Sequence, residues 1–484
     1  IMMAVSDQQT RVPHVSVPIL SSSNSTCFDI TRREIACALA QQFLGSFFYT
    51  DGPQVFGSVG KDKKRGAAEE RQRGKSMMDL FTLKPTRHNF QKFLCLMSYF
   101  EQISGCLDEP SVYLKNTEWD LNDASEYDDG HHDDAHLADL DLDNEQRPQV
   151  DRDVDDDNDG DGTTSLRPET EGDAIVTFGR RSLDMAVLRF ERLTNTRQNP
   201  KLIHNVAIRQ GPIRSEVGSS TSASASGGSG LAIQTVFSST RIGDGFFSNG
   251  CGQEELMLCQ YPEALMMQYM MEPLEDHETA FVLGAHKFNE IKGLGESFEF
   301  GEAINIYKDH TPFDAYGRRA TALTFIDPLE ITDVPETGME TIVREVFKAY
   351  AGFSLNDITL GRRYDTIATG NWGGGCAGGD PQLRFMIQWI AATYAGRGLN
   401  YHEHYVDKAQ EQIMQDLQKI VELFADEEGH VNVGHVFRCF SNMHLSESES
   451  LFDDLPQAYE DAKEKKTTQV GFDGNVLDIF DNRY

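Results

Sequence analysis

The chain has 484 residues, of which 39% are hydrophobic, and a formal net charge of −33 at pH 7. This length accommodates two domains or one large domain with appendages. So acidic a chain is unsuited to binding duplex DNA directly, because phosphate contacts need Lys and Arg. No hydrophobic run approaches membrane-spanning length, and the first residues lack the apolar segment of a signal peptide.

Eight cysteines are scattered along the chain without a C-x-x-C pair or a His at zinc-ligand spacing. This pattern favours free thiols in a reducing compartment over disulfides or a zinc site. Because the chain begins with Ile1 rather than Met, we expect the true N-terminus to be missing or differently placed.

Two helical patterns follow a polar, Ser-rich lead-in at residues 1–26, which we predict to be disordered. Thr31 and Glu34 have the spacing of a capping box and predict the start of the first helix. Apolar residues at helical spacing predict a second helix, with a core-facing stripe of Phe90, Phe93, Leu94 and Met97. Residues 27–115 are therefore assigned to a helical region.

An acidic segment interrupts this region at residues 116–172. Between Glu118 and Asp173 there are 22 acidic and 3 basic residues, and the low apolar content predicts a disordered insertion. Asp155, Asp157 and Asp159 imitate the start of a calcium-binding EF-hand loop. The twelfth position of that loop is Leu166, where a bidentate Glu is required, so no calcium site is predicted.

The chain after the insertion divides into three further parts by composition. Residues 173–217 complete the helical region, with a strand predicted at 174–178 and a helix at 180–190. Residues 218–230 (GSSTSASASGGSG) have the composition of a flexible linker. Residues 441–484 are acidic and Ser-rich and are assigned to a tail.

Between linker and tail, residues 231–440 alternate strand-like and helical patterns. Strands are predicted at 232–237, 279–283, 322–326 and 365–369, and helices at 341–350 and 381–394. This alternation is typical of an α/β sheet whose loops, at the strand ends, build the site.

The first such loop is a glycine-rich stretch, IGDGFFSNGCGQEE, at residues 242–255. Its glycines allow close approach of the backbone to a ligand, and the helix that follows directs N–H groups and a positive dipole end at an anion. Two carboxylates, Glu254 and Glu255, arrive at the same place. A phosphate cradle beside an acidic group suits a nucleotide substrate cut at a sugar. Adjacent glutamates also commonly charge the first turn of a helix without a catalytic role.

A second glycine block, ATGNWGGGCAGGD, occupies residues 368–380. Between the two glycine blocks lie DHETAFVLG at 276–284 and REVFKAYAGF at 344–353. Because these two segments and the two glycine blocks follow one another in the family's order, the chain resembles the poly(ADP-ribose) glycohydrolase family. The resemblance implies a macrodomain-like mixed sheet flanked by helices, preceded by an α-helical accessory region. It also implies hydrolysis of ribose–ribose bonds in poly(ADP-ribose), with no metal or cofactor.

The resemblance also implies roles for individual residues. Glu255 would be the acid/base catalyst, and Glu254 would hold the ribose hydroxyls. Gln253, Gly243 and Gly245 would complete the first substrate-binding loop, and His404 lies near the position of an adenine-stacking phenylalanine. The second block would bind the diphosphate through Asn371, Gly373, Gly374, Gly375, Gly378 and Gly379.

Several positions depart from the family pattern. Val236 and Ser239 stand where the family has an aspartate and an asparagine, and Asp244 replaces a glycine. Two ligand-contacting tyrosines are replaced by Ile291 and Leu294, and Ala377 replaces a phenylalanine.

Three hypotheses follow from these motifs and departures. The first is an enzyme, a monomer acting on poly(ADP-ribose) and ADP-ribosylated proteins in the nucleus or cytoplasm. The second is a macrodomain that binds ADP-ribose or its polymer without turnover, which the departures favour. The third is an acidic scaffold for basic partners such as histones.

Overall fold

The structure is a computed structural model that describes fourteen segments of the chain. The described residues are 19–22, 27–43, 86–108, 168–183, 199–213, 231–309, 311–314, 316–331, 338–355, 364–375, 377–403, 408–425, 431–442 and 455–463. The linker at 218–230, most of the acidic insertion, His404 and the greater part of the predicted 180–190 helix lie outside them.

Eight strands form one mixed sheet in the order β1-β2-β5-β8-β4-β9-β10-β3, and β6 and β7 form a separate hairpin. The strands are β1 (Cys27–Thr31), β2 (Ile175–Ser182), β3 (Val206–Gln210), β4 (Ala232–Phe237), β5 (Glu278–Leu283), β6 (Asn289–Lys292), β7 (Glu299–Ala303), β8 (Ala322–Ile326), β9 (Thr366–Gly370) and β10 (Gly398–Glu403). The four strands predicted within residues 231–440 are confirmed as β4, β5, β8 and β9.

Helices pack on both faces of this sheet. They are α1 (Arg32–Phe43), α2 (Arg87–Cys106), α3 (Gln253–Gln260), α4 (Met267–Met270), α5 (Met339–Phe353), α6 (Pro381–Tyr394), α7 (Lys408–Phe424), α8 (Val433–Asn442) and α9 (Leu455–Lys463). Within the described segments, none of these helices combines the length and apolar character needed to cross a bilayer.

The topology confirms the predicted α/β class. β8, β4, β9, β10 and β3 run parallel, while β5, β2 and β1 continue the sheet antiparallel. Parallel strands bring their carboxyl ends to one edge of a sheet, which is where α/β folds bind ligands. The loops after β4 and β9 are the two glycine blocks, and these strands are direct neighbours.

Alternate residues of the strands pack into two separate apolar cores, one on each face of the sheet. In β5, Phe281 and Leu283 face the core under α5 and α6, whereas Ala280 and Val282 face the core under α1, α2 and α3. This is the two-residue period of an extended chain buried on both sides. The site therefore has a packed layer on each face of the sheet.

The predicted helical region does not form a layer of its own. It supplies β1 and β2 to one end of the sheet and β3 to the opposite edge, where β3 pairs with β10. Leu20, within the predicted lead-in, is also fully buried, and its N–H donates to the Met270 carbonyl at 2.7 Å. The predicted helical region and residues 231–440 thus share one sheet.

Helix α1 begins as predicted, but the buried face of α2 differs from the predicted stripe. The Glu34 carboxylate accepts the Thr31 N–H at 2.9 Å, which confirms the capping box. Phe90, in the expected core stripe, is 55% exposed, and the fully buried residues of α2 include Lys92. The prediction followed side-chain hydropathy, whereas the helix turns a face with buried polar groups inward.

The predicted tail at 441–484 contains a packed helix. Residues 455–463 form α9, and Leu455 and Tyr459 are buried in the core under α5 and α6. The Tyr459 ring meets the Phe424 ring of α7 edge-on, at 4.8 Å between centroids. The short amphipathic pattern of α9 was hidden in an acidic, Ser-rich context, and the boundary at 440 is corrected accordingly.

A buried network of charged side chains joins the start of α1 to residues that are distant in the sequence. The Arg32 guanidinium donates to Glu263 at 2.7 Å and to Glu171 at 2.9 Å, and Arg319 pairs with Glu171 at 3.3 Å. All four side chains are fully buried. Glu171 had been assigned to the acidic insertion, so the end of that insertion lies before this residue.

We expect Glu171→Gln to lower the free energy of unfolding by about 3–5 kcal/mol, because breaking a buried pair leaves guanidinium charge uncompensated. Glu169→Gln is the matched control, since Glu169 belongs to the same segment but is exposed; it should change stability by less than about 0.5 kcal/mol. Urea denaturation measures both. Equal small effects would show that the network does not hold the two parts together.

Candidate active site

The two glycine loops meet at the carboxyl end of β8. The Ile326 carbonyl accepts hydrogen bonds from the Ser238 N–H and from the Trp372 indole N–H, each at 3.1 Å. Ser238 leads from β4 into the first loop, and Trp372 lies in the second. One carbonyl therefore fixes the relative position of the loops that the sequence predicted to act together.

The first loop is held by buried aromatic residues and local turns. Phe246 and Phe247 are fully buried, and the Phe246 N–H donates to the Gly243 carbonyl at 3.0 Å. Gly243 has φ of +77°, which L side chains rarely adopt, so this turn requires glycine. The loop thus presents its backbone rather than its large side chains to the sheet edge.

Gln253 joins the start of α3 to the end of β4. Its amide oxygen accepts the Phe237 N–H at 2.7 Å, and its amide nitrogen donates to the Thr235 carbonyl at 2.9 Å. The side chain therefore extends the hydrogen bonding of β4 as another strand would. These hydrogen bonds position α3 and its two glutamates, and the substrate contact of Gln253 stays a prediction.

Glu254 ties the glycine loop back to the same strand end. Its Oε1 accepts the Gly243 N–H at 2.7 Å and its Oε2 accepts the Ser239 N–H at 3.2 Å. Burial, and then the neighbouring Glu255 charge, raise the pKa of Glu254 to about 8, against the lowering effect of the two N–H groups. Only the backbone of Ser239 is used, so the missing family asparagine does not disturb this contact.

Glu255 is enclosed by three glycines. Its Oε2 accepts the Gly252 N–H at 2.7 Å. A Cβ at Gly245 would lie 2.0 Å from Glu255 Oε1, and a Cβ at Gly250 would lie 2.9 Å from the same atom. The residue is 7% exposed. The glycines of this motif therefore make room for a fixed carboxyl group, in addition to any contact with phosphate.

The second loop is largely folded on itself. The N–H groups of Gly374, Gly378 and Gly379 donate to carbonyls within the loop, at 2.9–3.3 Å. Gly375 and Gly378 are exposed, whereas Gly373 and Gly379 are buried. Three N–H groups of the block are thus already used within the loop, and binding of the diphosphate by these glycines stays a prediction.

A buried ion pair forms the floor of this second loop. Arg384 of α6 pairs with Glu345 of α5, and its guanidinium lies 5.7 Å from the centre of the Trp372 ring. Gly373 has φ of +78°, and a Cβ there would come within 2.9 Å of the Arg384 guanidinium. Glycine is required here both by the turn and by the close packing beneath it.

The residues that depart from the family pattern occupy ordinary packed or exposed positions in the fold. Val236 is fully buried in the core under α3, and Ile291 and Leu294 pack against that core while partly buried. The Asp244 side chain is exposed, although its charge contributes to the raised pKa of Glu254. Ala377 uses its carbonyl to accept the Ile331 N–H at 2.9 Å.

Among the described residues, Glu275, His277 and Glu278 place ligand atoms within 4.8 Å of one another, as a metal site would. The buried carboxylate of Glu278 is already paired with the Arg180 guanidinium. A divalent cation would compete with this fixed positive charge, so we assign no metal to the group.

Glu403 is a buried carboxyl group at the sheet edge that sequence reasoning missed. It ends β10, is 4% exposed, and its Oε2 has no hydrogen-bond partner among the described residues. Burial raises the pKa of Glu403 to about 7. The available signal was the position of Glu403 at the carboxyl end of a parallel strand. A single Glu after a stretch of polar and apolar residues does not, however, distinguish a site residue from an ordinary one.

Glu403 should make stability fall as pH rises. Its pKa is raised in the folded state, so between pH about 4.5 and 7 the folded chain holds a proton that the unfolded chain has lost, and stability falls across this range. From pH about 5.5 to 8, we expect the parent chain to lose about 2 kcal/mol relative to Glu403→Gln. Urea denaturation at both pH values measures this, with the exposed Glu302→Gln as control. A constant difference would contradict the effect of burial.

Named relatives cover part of the chain. It is 24% identical to probable poly(ADP-ribose) glycohydrolase 2 of Arabidopsis thaliana over 43% of this chain and 45% of that protein. It is 26% identical to poly(ADP-ribose) glycohydrolase 1 of Arabidopsis thaliana over 34% of this chain and 41% of that protein. With poly(ADP-ribose) glycohydrolase 1 of Caenorhabditis elegans it shares 27% identity over 44% of this chain and 28% of that protein. The chain thus spans less than half the length of these relatives.

Two family models match the chain in the order that the sequence motifs predict. The helical domain of poly(ADP-ribose) glycohydrolase matches residues 2–116, and the macro domain fold of the same family matches residues 215–411. Together they cover more than half of the chain, including α1, α2, both glycine loops and the paired glutamates. The chain belongs to the poly(ADP-ribose) glycohydrolase family.

Proposed function

We propose that this chain hydrolyses the ribose–ribose O-glycosidic bonds of poly(ADP-ribose) and releases ADP-ribose. The observation that carries the proposal is the enclosure of the Glu255 carboxyl by Gly245, Gly250 and Gly252. A loop that only bound phosphate would have no need to close around a carboxyl group. The names of the relatives and the family models support the same substrate class.

The reaction needs one group that gives and then takes a proton. Cleavage passes through an oxocarbenium-like state, in which the leaving ribose oxygen must be protonated and water must then be deprotonated. Glu255 is held in place through Oε2, and Oε1 lies at the inner face of the loop between Gly245 and Gly250. In the proposed reaction it donates the proton to the leaving oxygen and removes one from the water.

Glu254 has a structural task beside the proposed binding of ribose. Each of its oxygens accepts one backbone N–H. With its pKa raised to about 8, the carboxyl group is mostly protonated at neutral pH, so it keeps one O–H donor and some acceptor capacity for ribose hydroxyls. The same residue therefore holds the loop and orients the sugar. A change at this position should disturb both tasks.

A binding-only macrodomain is the second candidate, and the aliphatic replacements favour it. Val236 is buried where the family has an aspartate, and Ile291 and Leu294 lack the hydroxyls of the family's tyrosines. Apolar side chains at these positions keep the fold but contribute no polar contact to substrate. This candidate predicts affinity for ADP-ribose without release of product.

Glu255→Gln tests the proposed catalyst. The change keeps the shape of the side chain and an acceptor for the Gly252 N–H but removes the transferable proton. We expect hydrolysis of labelled polymer to fall by about 10³–10⁴-fold, while calorimetry shows ADP-ribose binding within about threefold of the parent chain. Glu296→Gln, at a highly exposed carboxylate, is the matched control and should leave both unchanged.

The outcomes separate the two candidates. A parent chain that binds ADP-ribose but releases none would identify the binding module, and undiminished hydrolysis by Glu255→Gln would end the assignment of this carboxyl group. The reversion Asp244→Gly tests that departure, since it removes an exposed carboxylate whose charge helps to raise the pKa of Glu254. Val236→Asp is not a comparable test, since it would bury a carboxylate in an apolar core.

A second variant tests the double role of Glu254. In Glu254→Gln the amide nitrogen would face either the Ser239 or the Gly243 N–H, so one of the two hydrogen bonds must be lost. We therefore expect weaker ADP-ribose binding together with slower hydrolysis, whereas Glu255→Gln loses hydrolysis alone. Calorimetry and the polymer assay on both variants measure this contrast. Unchanged binding in Glu254→Gln would contradict the structural task.

A further inference from the structure

We propose that Lys92, on the accessory helix α2, is a positioning residue that holds the glycine loop closed around Glu255. The role given to Glu255 rests on the proposed function. The contact itself is a feature of the fold and is open to measurement without turnover.

The Lys92 ammonium is matched to three carbonyl groups of the loop. Its Nζ donates to Phe246 O at 2.9 Å, to Ser248 O at 3.0 Å and to Gly245 O at 3.4 Å. Lysine has three N–H donors, so these carbonyls match its full donor set. The residue is fully buried. Burying an ammonium is costly unless it is well satisfied, so an apolar side chain would serve simple packing better.

Gly245 links this contact to the carboxyl group. Its carbonyl is one of the acceptors of Lys92, and its Cα faces Glu255 so closely that a Cβ would lie 2.0 Å from Oε1. A Cβ at Gly250 would also lie 2.8 Å from the Gly245 carbonyl oxygen. Movement of the Gly245 peptide would therefore change the space around Glu255 directly.

The frame on which Lys92 acts is itself fixed. The Asn289 amide nitrogen donates to the Cys95 carbonyl of α2 at 3.0 Å and to the Cys259 carbonyl of α3 at 2.8 Å. One side chain of β6 therefore joins the helix that carries Lys92 to the helix that carries Glu255. With both helices held, Lys92 sets where the intervening loop lies relative to the carboxyl group.

A second contact from α2 reaches the same loop. The Asn89 amide donates to the Asn249 side chain at 3.3 Å, one helical turn before Lys92. Asn89 is buried as well. The polar face of α2 that the hydropathy pattern failed to predict is thus directed at the glycine loop.

Lys92→Met tests the proposal, because Met fills similar space without the ammonium. We expect kcat for polymer hydrolysis to fall by about 10²-fold, the effect of misplacing a reacting group by about 1 Å. KM should change by less than about threefold, since the three hydrogen bonds of the Lys92 ammonium go to the first loop and the second loop keeps its own internal contacts. Arg87→Met, which removes an exposed positive charge from the same helix, should leave kcat and KM within about twofold of the parent.

Amide hydrogen exchange gives a readout that does not need turnover. The Gly252 N–H is bound to Glu255, and in Lys92→Met we expect its exchange to accelerate by about tenfold or more while amides of β8 keep their protection. Lys92→Arg keeps the charge with a planar donor fork, so it should recover part of kcat and of the protection. If Lys92→Met does not fold, Lys92→Arg carries the test through a lowered kcat at unchanged KM.

Two outcomes would overturn the proposal: unchanged kcat with unchanged Gly252 exchange, or equal loss of protection throughout the sheet. A parent chain without hydrolysis would refute the proposed function instead. The positioning of the loop would then be decided by Gly252 exchange alone, with acceleration supporting it and no change refuting it.

Discussion

The Ile326 carbonyl at the end of β8 is the point on which the site depends. It accepts one hydrogen bond from the segment that leaves β4 and another from the indole of the loop that follows β9. Because β4 pairs in parallel with both β8 and β9, both glycine loops are brought to one edge. Gln253 then fixes α3 against the same strand end, so the two glutamates have little freedom of position.

The helical region completes this arrangement and cannot be regarded as an attached module. It contributes strands at both ends of the sheet, a buried arginine that joins Glu171 and Glu263, and a lysine that holds the first glycine loop. Buried charges of this kind contribute little net stability, but removing one partner is costly because the other is left buried and uncompensated. Of these contributions, β1, Arg32 and Lys92 lie within residues 2–116, the part of the chain that the family's helical domain matches.

How much could be predicted from the sequence depends on whether the signal is local. The strands at 279–283 and 322–326 and the Thr31 capping box are indicated by neighbouring residues, and the structure confirms them. Lys92, Glu171 and β3 depend on partners more than 100 residues away, and hydropathy gives no sign of such contacts. Gln253 was singled out, but its partners on β4 could be known only from the fold.

The shared sheet has a consequence for how the protein can be divided. A fragment beginning at residue 231 would retain β4, β5, β8, β9 and β10 but would lack the strands that cover β5 and β10. Both would become edges with unpaired backbone groups, and β5 carries buried apolar residues on both faces. Such edges pair with other chains. Self-association of the isolated fragment would then reflect the cut and not the natural behaviour of the chain.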